Sequence, residues 1–256
     1  MQPLDLWHLG AAFGAAIIAG MINSVAGGGT LVSFPVLIWL GLPPVTANAT
    51  STVSIWPGSL GGMWGYRSEL RGAEPRIFAL VAPSLLGGIA GALLLRWTPP
   101  AIFADLVPYL ILAATLLFMA QEPIQRRVNT ANAATHRSWR WLGGAILFQF
   151  AVAVYGGYFG AGIGILMLAS LGVLGLRDIH MMNALKTILS TLINGMALIY
   201  FTIKGLIVWP IALLMAAGAI LGGYAGARVA KQVNQNYLQI FIVAVGLFVS
   251  AWLFFR

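Results

Sequence analysis

The 256-residue sequence has no cysteine, little charge and few acids: 8% of residues are charged, six acidic against 14 basic, while 60% are hydrophobic. Soluble domains carry about 25% charge, so a soluble globular enzyme is excluded. Without cysteine there is no disulfide, thiolate metal ligand or thiol nucleophile. The six acids, Asp5, Glu69, Glu74, Asp105, Glu122 and Asp178, lie in loops or near the ends of apolar stretches. No buried carboxylate relay for protons or sodium is therefore expected. His8, His136 and His180 are too scattered to form a zinc or haem pair by local spacing. There is no P-loop, so ATP is not used directly and no cofactor or metal is expected. The start, Met1-Gln2-Pro3-Leu4-Asp5, has no basic n-region, and the first apolar stretch reads as a retained helix.

What the chain does have is apolar length. Crossing about 30 Å of hydrocarbon takes about 17–25 apolar residues. Polarity, Gly/Pro punctuation and length divide the chain into ten segments: 6–24, 30–41, 46–66, 76–96, 102–120, 140–158, 162–175, 180–203, 206–228 and 236–255. Segments 30–41 and 162–175 would reach only about 18–21 Å, so each reads as re-entrant or broken after a glycine cluster. The halves on either side of the polar stretch 121–139 repeat. Gly87-Gly88-Ile89-Ala90-Gly91-Ala92 matches Gly222-Gly223-Tyr224-Ala225-Gly226-Ala227 at a spacing of 135, as Asn48-Ala49 matches Asn183-Ala184.

Five segments per half is an odd number, so the second copy enters the membrane from the opposite side. The expected fold is all-α: a polytopic helical membrane protein of two inverted repeats, 1–120 and 140–256, joined by a polar cytoplasmic loop, 121–139. Positive charge agrees. Arg67, Arg71, Arg76, Arg126, Arg127, Arg137, Arg140, Arg177, Arg228 and Lys231 fall on one side of this parse, against Arg96, Lys204 and Arg256 on the other. The 67–76 and 121–139 loops are thereby placed in the cytoplasm and both termini outside.

Two polar stripes stand out. Asn48, Ser51, Thr52 and Ser59 share one helical face, and their counterparts are Asn183, Lys186, Thr187 and Asn194, with Ser190 and Thr191 on the same stripe. Polar groups facing lipid lose their hydrogen bonds to water, so both stripes are expected to face inward, for interhelical bonding or for a solute. Lys186 is the charged side chain clearly inside a span; it either snorkels to the interface or attracts an anion. The glycine breaks Gly27-Gly28-Gly29 and Gly160-Ala161-Gly162 each open a short segment. Gly-interrupted segments at corresponding positions of two halves point to a transporter's binding site, where freed N–H groups hold oxyanion oxygens. The expected site therefore comprises both stripes and both breaks. Pro35 and Pro57 are expected to kink or end their helices.

The run from Gly20 to Pro44, with Asn23-Ser24-Val25-Ala26-Gly27-Gly28-Gly29-Thr30-Leu31, Phe34-Pro35 and Leu40-Gly41-Leu42-Pro43-Pro44, closely resembles the TauE/SafE (sulfite exporter) family of membrane proteins. So do Met182-Asn183-Ala184-Leu185-Lys186-Thr187, Trp209 and Gly222-Gly223-Tyr224-Ala225-Gly226-Ala227-Arg228 in the second half. The resemblance implies a multi-pass permease of the bacterial inner (plasma) membrane, exporting small sulfur-containing anions such as sulfite, sulfoacetate or organosulfonates. The expected partners are the lipid bilayer, a small anionic substrate and, as one allowed assembly, a second copy in a homodimer, with no nucleic acid. The alternative is a membrane-embedded enzyme acting on lipid or peptide substrates. It would need a nucleophile with a base, or clustered acids holding a metal, and the sequence supplies neither convincingly.

Overall fold

The structure, a computed structural model, describes residues 5–65, 75–120, 139–173, 176, 179–229 and 235–255. Much of the 67–76 and 121–139 loops lies outside them, as do Arg67, Arg71, Arg126, Arg127, Arg137, Arg177, Lys231 and Arg256, on which much of the charge asymmetry rests. The described residues form ten α-helices without a strand: α1 Leu6–Ala26, α2 Thr30–Trp39, α3 Pro44–Gly65, α4 Val81–Trp97, α5 Pro100–Met119, α6 Trp139–Tyr158, α7 Ile163–Val173, α8 Ile179–Ile203, α9 Trp209–Val229 and α10 Gln235–Phe254. A 3-10 turn, Pro75–Leu80, leads into α4. Helices are what such a composition dictates, because hydrocarbon offers no partner for backbone N–H and C=O groups. Five described stretches, within α1, α4 with its 3-10 lead-in, α5, α8 and α9, are long and apolar enough to cross a membrane. The chain is a multi-pass membrane protein.

α2 and α7, at 10 and 11 residues, are too short to span, and each doubles back along the helix before it. The start of α2 packs at Gly29 against Ala19 of α1, and its end brings Trp39 to 5.6 Å, ring to ring, from His8. In the second hairpin Ile163 lies against Gly156, and Ser170 bonds Gln149 seven residues further down α6.

Small residues set the long-helix contacts, because without a hydrophobic drive between helices in lipid, close backbone approach supplies the attraction. A methyl group added at Gly218, Gly222 or Gly226 of α9 would overlap atoms of Phe13, Ile17 or Met21 of α1. At Gly87 and Gly91 of α4 it would overlap Phe150 and Val154 of α6. Both pairs run parallel, and they correspond: Gly87 and Gly91 stand 135 residues before Gly222 and Gly226, and Ile17 and Met21 stand 133 before Phe150 and Val154. The fourth helix of each half thus packs on the first helix of the other.

Two further cross-half pairs run antiparallel. Ser250 of α10 donates to the Pro108 carbonyl of α5 at 3.0 Å, with Gly246 against Thr115 and Phe254 against Tyr109. Trp56 of α3 donates to the Thr191 carbonyl of α8 at 2.9 Å, while Thr50, nearer the start of α3, accepts from the Val208 amide beyond the end of α8. Exposed Trp7, Trp39, Trp97 and Trp209 gather at the end of the bundle where α1 begins, as interfacial aromatics do.

Pro35 and Pro57 both lie inside helices that continue past them, α2 and α3, so neither ends its helix. Neighbouring helices in a membrane bundle can satisfy the freed backbone groups, which makes interior proline tolerable there.

Candidate functional site

The two glycine breaks meet. Gly27 and Gly160 both take a left-handed backbone, φ 76° in each, which reverses the chain after α1 and α6 at low steric cost only for glycine. A methyl group built on Gly27 would lie 3.5 Å from the Cα of Gly164, in the first turn of α7. Gly28, Gly29 and Gly162 are buried beside them. The second break is further held by the Tyr155 hydroxyl, which donates to the Ala161 carbonyl at 2.6 Å, and by Phe159, edge-on to Phe34 of α2 at 5.4 Å.

Helix α3 is tied to both breaks. Ser51 shares a 2.6 Å hydrogen bond with Ser33, whose hydroxyl also donates to the Gly29 carbonyl. Asn48 reaches across to the other half, its Nδ2 donating to the Tyr158 carbonyl at 2.9 Å. On α8, Asn194 brings its Oδ1 to 3.8 Å from where a side chain on Gly160 would begin.

Several stripe residues already have partners within the fold. Thr52 donates to the Asn48 carbonyl, Thr187 to the Asn183 carbonyl, and Ser190 and Thr191 both to the Thr187 carbonyl. These are backward bonds to the preceding turn, a common way for Ser and Thr to satisfy a hydroxyl in a spanning helix. The stripe groups without a partner among the described residues are fewer: Asn48 Oδ1 and the side chains of Asn183, Lys186 and Asn194. Lys186 is 8% exposed and has no acidic partner among the described residues.

The expectation of one midplane cluster needs correction. Trp56 and Thr191 mark where α3 and α8 cross. Asn48 stands eight residues from Trp56 toward one end, and Asn183 eight from Thr191 toward the other, about 12 Å each at 1.5 Å per residue. Antiparallel packing therefore sets Asn48 and Asn183 about 24 Å apart along the bundle, and Asn48 and Lys186 about 20 Å. What lies centrally is the Gly27/Gly164 contact, with one stripe end displaced toward each face.

A second buried polar cluster escaped the sequence reading. Gln149 of α6 donates to Ser84 of α4 at 2.9 Å and accepts from Ser170 of α7 at 3.3 Å, while Ser84 donates to the Leu80 carbonyl. All three side chains are buried and satisfied, so they join three helices and offer nothing to a solute. The signal was an amide in the middle of the apolar stretch 140–158.

Two interrupted hairpins in contact, inside a bundle of spanning helices whose halves exchange their fourth helices, define a polytopic membrane transporter. The chain belongs to the sulfite exporter TauE/SafE family, whose model matches residues 12–253. It is 27% identical over 245 residues to "Probable membrane transporter protein" of Haemophilus influenzae, covering 95% of this chain and 93% of that one. It is 26% identical over 253 residues to "Probable membrane transporter protein YfcA" of Escherichia coli K12, covering 96% and 90%. With "Probable membrane transporter protein ORF9" of Sinorhizobium sp the identity is 27% over 249 residues, covering 96% and 92%.

Proposed function

We propose that this transporter exports small sulfur-containing anions, of the sulfite, sulfoacetate and organosulfonate class, across the bacterial inner membrane by alternating access. In this reading it catalyses no covalent reaction. The observation that carries the proposal is Lys186, an ammonium enclosed in a spanning helix with no acid among the described residues to neutralise it. Its field favours an anionic visitor and opposes a cationic one. The family's description supplies the sulfur chemistry.

The two halves are read as oppositely oriented copies: the counterpart pairs α3/α8 and α5/α10 run antiparallel, and the α1/α9 and α4/α6 contacts interchange. Rocking of such copies about the Gly27/Gly164 contact would expose first the Lys186 end and then the Asn48 end. Export needs no coupling ion, since an inside-negative potential of 100 mV drives each negative charge outward with about 2.3 kcal/mol.

The test is flux of labelled sulfite and sulfonates from proteoliposomes. Lys186→Ala and Asn183→Ala are expected to lower it, and unchanged flux in both variants removes the inner part of the site.

A further inference from the structure

Asn48 is 1% exposed, and its two side-chain heteroatoms are in opposite situations. The Nδ2 group is committed to the Tyr158 carbonyl, capping the last turn of α6. That bond also fixes the amide orientation, because a carbonyl oxygen can only accept; the flipped amide would set oxygen against oxygen. Oδ1 is thereby held in place, buried, with no donor among the described residues.

Nearby hydroxyls do not serve it. The Thr52 proton goes to the Asn48 carbonyl, the Ser54 proton to the Thr50 carbonyl, and Ser51 is paired with Ser33. Helix capping accounts for the nitrogen of Asn48 and leaves the oxygen unexplained. Buried polar atoms are paired in the great majority of folded proteins, so an orphan beside a chain break in a transporter marks a place for a visiting group. That group must donate.

Resting on the reading of the chain as an anion transporter, we infer that Asn48 is a specificity-determining residue: the unpaired oxygen beside the second break selects sulfur oxyanions that carry their own O–H or N–H donor. The oxygens of a fully deprotonated, donor-free anion would meet the lone pairs of Oδ1 and be repelled. An anion with a hydroxyl, an amino group or an acidic proton turns the same contact into a hydrogen bond. Lys186, about 20 Å away along the bundle, senses only negative charge. The two ends of the path thus read different features of one solute.

A matched pair of monoanions tests this: 2-hydroxyethanesulfonate, which has a hydroxyl, and ethanesulfonate, which lacks it. Each is measured as efflux from proteoliposomes holding the full chain. A site built to bond a substrate hydroxyl discriminates strongly against the analogue without it, so the wild type is expected to prefer the hydroxylated member by at least about tenfold. In Asn48→Ala the ratio is expected to fall toward one, whereas Lys186→Ala lowers both fluxes alike. Equal wild-type rates overturn the inference even if Asn48→Ala fails to fold, as does a preference that survives in Asn48→Ala. Wild-type efflux of neither sulfonate, with none of sulfite, overturns the transport reading itself and this inference with it.

Discussion

Replacing Gly27 separates backbone conformation from crowding. Its φ of 76° is left-handed, yet a methyl group there would meet nothing closer than 3.5 Å, an ordinary van der Waals contact. Gly27→Ala therefore incurs a conformational penalty with little steric one, about 1–2 kcal/mol for a left-handed L-residue. That is about a 5- to 30-fold change in the folded-to-unfolded ratio. Asparagine visits the same region more readily, so Gly27→Asn is expected to lose less than Gly27→Ala although its side chain is larger. Gly14, in the middle of α1 with nothing within 4 Å of a built methyl group, is the control: Gly14→Ala is expected to be neutral or stabilising by up to about 1 kcal/mol. The assay is reversible denaturant unfolding in bicelles. Gly27→Ala as stable as wild type, or Gly27→Asn the weaker of the two, would refute the claim that a left-handed turn holds the first break.

Two further predictions concern the frame around the breaks. Gln149→Leu removes two buried interhelical hydrogen bonds, each worth about 0.6 kcal/mol on average in a membrane bundle, so a loss of about 1–2 kcal/mol is expected in the same unfolding assay; no loss would mean that the cluster does not join α4, α6 and α7. The natural absence of cysteine makes the chain its own background for labelling. Leu6→Cys, Trp39→Cys and Lys204→Cys, all at exposed positions, are expected to react with an impermeant maleimide from the same face of sealed vesicles, and Trp39→Cys reacting from the opposite face would show that α2 crosses instead of returning.

Segment positions were legible because hydrocarbon imposes one rule on every stretch of backbone. The stretch expected at 30–41 is the helix Thr30–Trp39, that at 162–175 is Ile163–Val173, and that at 180–203 is Ile179–Ile203. The breaks were legible because few residues but glycine turn the chain at positive φ. The stripes were legible as polar faces, but not by partner. Ser51 turns to Ser33, Asn48 to the opposite half, and Thr187 and Ser190 to their own helix. Helical periodicity names a face and cannot say which neighbour meets it. Gln149 went unnoticed because a single amide in an apolar run has no periodicity.

Composition and spacing alone were enough for a helical bundle in lipid, two glycine breaks and a lysine within a span, since apolar solvent restricts what can cross it; that Lys186 is enclosed was decided by the packing. Distance between halves was decided by the tertiary structure. Antiparallel packing of α3 on α8 carries Asn48 and Lys186 toward opposite faces while bringing Gly27 to Gly164, and no reading along one chain specifies how two helices 135 residues apart are laid against each other.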